Sequence, residues 1–381
     1  MSLVLLSALD PLVARLSAAV DGYPALLSAL FGALALVGAL GALTLLLPAA
    51  YGCLLRPQNL KQKYGAEWAV VTGGSSGIGK AIVERLCAQG INVVILAVPD
   101  KLLEETTREV RARFPGVVVE PVGADLSKPG FMAQLDAVTH DKDVQLLFCN
   151  AGFMLSGFFH STPMGANKAN AAVNVGCHLE LTHEYVNRML AAGLRGAVCF
   201  TSSPAWMLPS PTAAMYAGTK AFVSHFGASM AAEVKSLGID VCVVHPSPIR
   251  SRFYDNAGDG AEVNFFKSTA SGPEVLVAHL FACVGRLVFA NQGYFPKVMG
   301  VLHHLMDFTS LVEITANVAH TAGSFQLAKL KDEAKYQELL AKAAAIERAK
   351  MGGKKKEKKE KKKKKTPAKK GTPRSKSRGR K

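Results

Sequence analysis

A chain of 381 residues, 49% of them hydrophobic, is long and apolar enough for one large core with further segments outside it. Its formal charge of +16 is concentrated at one end, because residues 354–381 hold 14 Lys and 3 Arg against Glu357 and Glu360. The remainder is close to neutral, which excludes a folded part that works by general attraction to polyanions.

Residues 1–22 carry an apolar pattern (Leu5, Leu6, Leu9, Leu12, Val13, Leu16) that suits a segment lying along a membrane surface. From Gly22 to Leu55 there is no charged residue. Between Pro24 and Pro48 run 23 residues, Ala25–Leu47, with Ser28 and Thr44 the only hydroxyl-bearing members. As a helix this stretch is about 34 Å long, enough for a bilayer core, so residues 23–50 are predicted to be a transmembrane anchor. A cleaved signal peptide has a shorter apolar region nearer the N-terminus. Arg56, Lys61 and Lys63 in the basic linker 51–64 outweigh the mixed charges Asp10, Arg15 and Asp21, which predicts that everything after the span is cytosolic. Seven cysteines, an odd number without metal-ligand spacing, read as reduced thiols in a cytosol-facing domain, and no metal site is predicted.

Apolar runs at 68–72, 92–98, 117–122, 144–149, 196–201 and 239–245 alternate with segments of helical periodicity. The prediction is an α/β domain over 65–325, a doubly wound parallel sheet of the Rossmann type. Residues 326–350 read as a charged helix. Residues 351–381 have too few apolar side chains for a core and are predicted to be disordered. Tethered near a bilayer, that tail is expected to rest on an anionic membrane surface; nucleic acid is the less favoured partner.

The first strand, Trp68-Ala69-Val70-Val71, runs into Thr72-Gly73-Gly74-Ser75-Ser76-Gly77-Ile78-Gly79, and a helix opens at Lys80. Glycines at such a turn let backbone N–H groups approach a pyrophosphate, and the helix start adds partial positive charge. Thr-Gly-x-x-x-Gly-x-Gly in this place resembles the phosphate loop of the short-chain dehydrogenase/reductase family. The resemblance extends over roughly residues 65–290. It implies that Asp125 meets the adenine and that Asn150-Ala151-Gly152 supports the sheet beside the cofactor. It further implies that Tyr216 and Lys220 form the Tyr-x-x-x-Lys pair, that Ser203, 13 residues earlier, is the catalytic serine, and that Asn174 holds a water linking the lysine to solvent. Pro246, Ile249 and Ser251 fall beside the cofactor, with Ser251 where a threonine often meets the nicotinamide carboxamide. Ser247 stands where the family usually has glycine. No acidic residue occupies Ala97 or Val98 at the end of the second strand, and Lys101 is near enough in sequence to reach a 2′-phosphate. NADP(H) is therefore expected over NAD(H).

The chemistry fits this set. Reducing a ketone leaves an alkoxide to be protonated, and a free tyrosine has a pKa of about 10. Lys220, at i+4, shares a helix face with Tyr216. A positive charge near ~4 Å is worth roughly 1–4 kcal/mol, enough to lower that pKa by about 1–3 units. Ser203 supplies an oxyanion-type donor.

Tyr64 to Gly73, preceded by an apolar span and a basic linker, is similar to the membrane-bound 17β-hydroxysteroid dehydrogenase/3-ketoacyl-CoA reductase branch. Gly73 to Gly79 is shared with 3-ketodihydrosphingosine reductases. That resemblance implies a hydrophobic substrate, a lipid or steroid, and an endoplasmic reticulum membrane; a homodimer is left open. Phe153, Met154, Leu155, Phe158 and Phe159, and then Phe253, Tyr254, Phe265 and Phe266, are candidates for the substrate wall and lid. Residues 294–311 are a candidate bilayer contact. His178, His183, His245, His303 and His304 read as structural. The alternative is a non-catalytic membrane scaffold of the same fold whose basic tail binds anionic lipid or nucleic acid.

Overall fold

A computed structural model describes residues 24–253 and 261–335, with scattered positions up to Ala344. The predicted surface segment 1–22, the possible lid residue Tyr254 and the lysine-rich tail 351–381 lie outside the described residues. The chain divides into two compact units, Met1–Phe325 and Gln326–Lys381. In the second, residues 326–335 are helical, and Lys342 pairs with Glu338 one turn away at 2.6 Å.

Helix α1 (Pro24–Leu54) has 31 residues and no charge. Pro48 lies inside the helix, which runs on to Leu54. Proline removes one backbone hydrogen bond, but the apolar run on both sides keeps the helix continuous. Phe31, Leu34, Val37 and Leu54 are exposed, and the helix is long and apolar enough to cross a membrane. Helix α2 (Leu60–Tyr64) begins at Asn59, whose side chain accepts from Gln62 N, and ends at Gly65 with φ +67°. It is pinned to the domain, since the Tyr64 hydroxyl donates to Asp240 at 2.7 Å and Lys63 donates to the Val284 carbonyl at 2.8 Å.

Seven parallel strands follow: β1 (Trp68–Thr72), β2 (Asn92–Ala97), β3 (Val119–Gly123), β4 (Val144–Cys149), β5 (Gly196–Thr201), β6 (Ile239–Pro246) and β7 (Phe289–Gln292). Their order is β3-β2-β1-β4-β5-β6-β7. Alternate residues of each strand feed opposite cores, as the period of two requires. Val71, Ile95 and Phe148 face helices α3 (Gly77–Cys87), α4 (Lys101–Arg113) and α10 (Pro273–Cys283). Val70, Leu96 and Leu147 face α5 (Phe131–Thr139), α7 (Cys177–Ala191) and α8 (Ala214–Val234). Phe148 and Phe281 stack at 6.0 Å between centroids; fully burying such a side chain contributes about 2–3 kcal/mol. Six of the seven cysteines are buried thiols; Cys53, on α1, is exposed.

The remaining helices are α6 (Met164–Ala171), α9 (Ala261–Ser268), α11 (Phe295–Leu305) and α12 (Phe308–Val318). Of the apolar residues in 294–311, Tyr294, Val298, Val301, Leu305 and Phe308 are exposed while Leu311 is buried. Helix α11 also meets α1, with His304 close to Gly41. What matters most for the site is the strand order. β1 is followed by β2 on one side, and β4 lies on its other side, so the loops after β1 and β4 turn apart and leave a crevice at the carboxyl ends of the strands.

Candidate active site

The crevice is a cleft of about 650 Å³. Its floor is stitched across three strands. The Thr72 hydroxyl accepts from the backbone N of Asn150 and of Ala151, both at 2.9 Å, and donates to the Phe148 carbonyl. Asn150 donates its side-chain amide to the Thr72 carbonyl at 3.2 Å and accepts from the Thr201 hydroxyl at 3.0 Å. Lys220 donates to the Thr201 carbonyl at 2.7 Å. Thr72 and Asn150 thus fix the spacing of β1, β4 and β5 beneath the cleft.

The phosphate loop closes because of two glycines. Gly73 takes φ +63°, and an added Cβ on Gly79 would collide with the Gly73 carbonyl. Ser76 starts α3 without a side-chain cap, so the first N–H groups of that helix stay open toward the cleft. Gly73, Ser75, Ser76, Gly77 and Ile78 line the cleft; Thr72 and Gly79 are buried behind it. Asp125 and Asn150-Ala151-Gly152 line it too, as do Pro246, Ile249 and Ser251. Lys101 does not. It is 87% exposed and sits 3.6 Å from Glu105 one turn along α4. Asp100 is in the cleft instead, but its carboxylate caps α4 by accepting from Leu103 N at 3.0 Å.

Ser203, Tyr216 and Lys220 come together at the other end. Ser203, two residues past β5, has extended backbone and heads the turn Pro204–Met207, where its Oγ accepts from Ala205 N at 3.2 Å. Trp206 holds that turn in place, its ring packed against His245 and His303 at 5.7 and 6.0 Å between centroids. Tyr216 and Lys220 are one turn apart on α8, with Nζ 5.8 Å from the Tyr216 ring centroid. The Phe253 ring covers Tyr216 at 5.5 Å. Burial pushes Lys220 down to about 8, with the Cys177 sulfur pulling weakly the other way. His245 is neutral for the same reason, pushed down to about 4, and it bonds Ser224 and Asn291.

Asn174 sits in a π-helical turn, Ala172–Gly176, between α6 and α7. Such turns cluster at functional positions. Its amide is fully engaged: Oδ1 accepts from Phe153 N at 3.0 Å, and Nδ2 donates to the Phe153 carbonyl and to Thr219 Oγ1. Asn170, which the sequence did not single out, donates to the same Phe153 carbonyl at 2.7 Å. An added Cβ on Gly152 would lie 3.1 Å from Asn174 Oδ1 and 3.5 Å from Lys220 Nζ, so the two side chains converge behind that glycine. Ser247 has its own use. Its Oγ accepts from Phe295 N at 3.0 Å, tying β6 to the start of α11 rather than filling the cleft.

The model of the short chain dehydrogenase family matches residues 67–261. The chain belongs to that family. This short-chain dehydrogenase is 31% identical over 229 residues to a 7beta-hydroxysteroid dehydrogenase of Collinsella aerofaciens, with 60% of this chain and 86% of the relative aligned. It is also 31% identical over 223 residues to a very-long-chain 3-oxoacyl-CoA reductase of Neurospora crassa, covering 56% of this chain and 65% of that one. Among solved structures, a 7beta-hydroxysteroid dehydrogenase superimposes with a TM-score of 0.61 at 27% identity, over 68% of this chain and all of the other. A short-chain dehydrogenase from Sphingobium yanoikuyae in complex with NADPH gives 0.51 at 26% identity, over 55% and 81%. The protein is an oxidoreductase of the NAD(P)-dependent kind that acts on CH–OH and C=O groups. The open start of α3, the packed glycines and the cleft volume of about 650 Å³ fit a nicotinamide dinucleotide.

Proposed function

We propose that this short-chain dehydrogenase is a membrane-anchored reductase of a lipid carbonyl, preferring NADP(H) and working on the cytosolic face of the endoplasmic reticulum. The reading is carried by one conjunction: Tyr216, Lys220 and Ser203 converge in a domain that follows an uncharged 31-residue helix. An enzyme tied to a bilayer meets substrate at a surface, which suits an insoluble ketone. Phe153 and Phe253 on the cleft wall suit the same substrate. The 3-oxoacyl-CoA reductase and hydroxysteroid dehydrogenase relatives support a 3-oxoacyl, ketosphingoid or steroid ketone.

When bound, the nicotinamide dinucleotide supplies the hydride that reaches the carbonyl carbon. Gly73, Ser75, Ser76, Gly77 and Ile78 would hold its diphosphate, Asp125 its adenine end, and Ile249 and Ser251 its carboxamide. Asn150, Ala151 and Gly152 shape the floor, with Thr72, Gly79 and Pro246 keeping the loops in register. Ser203 has accepted from Ala205 N, so its own hydrogen is directed to the substrate carbonyl oxygen. That donor stabilises the developing oxyanion. The Tyr216 hydroxyl delivers its proton to the same oxygen. Lys220 favours the phenolate left behind and would hold the nicotinamide ribose. Asn174 fixes the Phe153 backbone, and with it the loop that walls off this end from water.

The preference for NADPH rests on the missing carboxylate at Ala97 and Val98 and on Asp100 being committed to its helix cap. The expected kcat/KM ratio of NADPH to NADH is tenfold or more, about 1.4 kcal/mol. An equal or inverted ratio in detergent-solubilised enzyme, with a 3-oxo lipid as acceptor, overturns the preference.

Topology has its own test. Arg56, Lys61 and Lys63 follow α1, so protease added to sealed microsomes should digest the domain from residue 65 onward. The chain should also stay with membranes in alkaline carbonate. Protection of the domain reverses the orientation; release by carbonate removes the anchor.

A further inference from the structure

The phosphate loop has no charge of its own. Thr72 to Gly79 contains no basic residue, and Lys80, the next along, is paired with Glu109. The diphosphate of a dinucleotide brings two negative charges to this place. Backbone N–H groups and the partial charge of the α3 start answer part of that charge.

Among the described residues lining the cleft, the charged ones are Asp100, Asp125, Lys220 and Arg252. The two acids follow β2 and β3, at the adenine end. Lys220 is buried and bonded to the Thr201 carbonyl. Arg252 is exposed at the cleft mouth. Its segment crosses the phosphate loop: a Cβ on Gly77 would lie 3.1 Å from the Ser251 Cβ. That crossing is held from both sides. Arg250 N donates to the Ser271 carbonyl at 2.8 Å, Ser271 N donates to the Pro248 carbonyl at 2.9 Å, and Phe253 packs on Tyr216. Arg252 therefore stands between one residue placed over the start of α3 and another placed over the catalytic tyrosine.

We propose that Arg252 is a cofactor-binding residue, its guanidinium closing on the diphosphate of the nicotinamide dinucleotide from the side opposite α3. The planar fork of arginine matches two phosphate oxygens at once, and such charge-assisted pairs are the strong ones. The inference rests on the reading of this cleft as the dinucleotide site. A substrate carried on a phosphorylated thiol offers the same anionic chemistry, and the experiment separates the two sources.

The full-length chain in detergent is titrated with NADPH, by its fluorescence, and with ADP-ribose and free coenzyme A, by calorimetry. Arg252→Ala, Arg252→Gln and Arg252→Lys are compared with the wild type, and thermal melting checks that each is folded. Arg252→Ala and Arg252→Gln should weaken both NADPH and ADP-ribose by about tenfold or more, with a shallower salt dependence, and Arg252→Lys should recover part of the loss. Equal ADP-ribose affinity in the wild type and Arg252→Gln overturns the proposal. So does a loss confined to coenzyme A, which would assign the phosphate to the substrate. A wild type that binds neither NADPH nor ADP-ribose would sink the reading of the cleft itself, a separate failure from an unchanged variant.

Discussion

Tyr216→Phe is expected to lose about 10²–10⁴-fold in ketone reduction, the usual worth of a positioned general acid, while NADPH still binds. Tyr216 is buried, with 8% of its surface left exposed, and the Phe253 ring packs against it at 5.5 Å between centroids. Phenylalanine fills the same space, so the variant should fold and melt like the wild type. What it lacks is the hydroxyl proton. Measuring kcat by NADPH absorbance alongside NADPH affinity by fluorescence separates chemistry from binding. A variant that keeps more than roughly a tenth of the wild-type rate would remove Tyr216 from the acid role.

Lys220→Met should stop turnover by a comparable factor, and it should also change stability in a pH-dependent way. Burial moves Lys220 from 10.5 in the unfolded chain to about 8 in the fold. Below about 8 both states hold the proton, and the folded state bears the full cost of a buried ammonium, on the order of 3 kcal/mol. Between 8 and 10.5 the unfolded chain holds more protons than the native one, so wild-type stability gains as pH rises through that window. Methionine has no charge to bury, although it leaves the Thr201 carbonyl without its donor, a loss of about 1 kcal/mol. At pH 7 without cofactor, Lys220→Met should therefore be the more stable protein, by on the order of 2 kcal/mol. The difference should shrink toward pH 10. Wild-type reduction should in turn fall as pH rises through about 8 and Lys220 gives up its proton. Parallel melting curves for the two proteins across pH 7–10 would contradict the account.

The fold was legible because its signals are local. Five of the strands are runs of five or more residues, rich in Val, Ile, Leu and Ala and buried on both faces of a parallel sheet, and such runs stand out in sequence; the edge strand β3 leaves Pro121 and Gly123 exposed. β7 did not stand out. Phe289-Ala290-Asn291-Gln292 is four residues with two amides, and it is a strand only because β6 lies beside it. α1 runs through Pro48 to Leu54, four residues past the expected span 23–50, because the apolar run continues beyond the proline. The motif residues fell together around one cleft, since their spacing reflects strand ends that the sheet brings into line. Side-chain direction was not legible. Lys101 lies between two cleft residues, Asp100 and Leu102, yet sits against Glu105, while Ser247 turns its hydroxyl to Phe295 N. Asn170 and Arg252 belong to no spacing pattern, and only packing reveals where they stand.

The strand order also sets how this chain must be made. β1 sits at the centre of the sheet between β2 and β4, and Trp68 pairs with Val144, 76 positions further along the chain. At about 5–20 residues per second of synthesis, β1 and β2 are complete several seconds before β4 exists. Through that interval one edge of β1, with Ala69, Val70 and Val71, has no neighbour. Parallel pairings of this separation also form slowly once both partners are present. The nascent domain is thus exposed to aggregation early, at an apolar strand edge. If α1 has by then entered a bilayer, each chain waits for its missing strand held apart from the next.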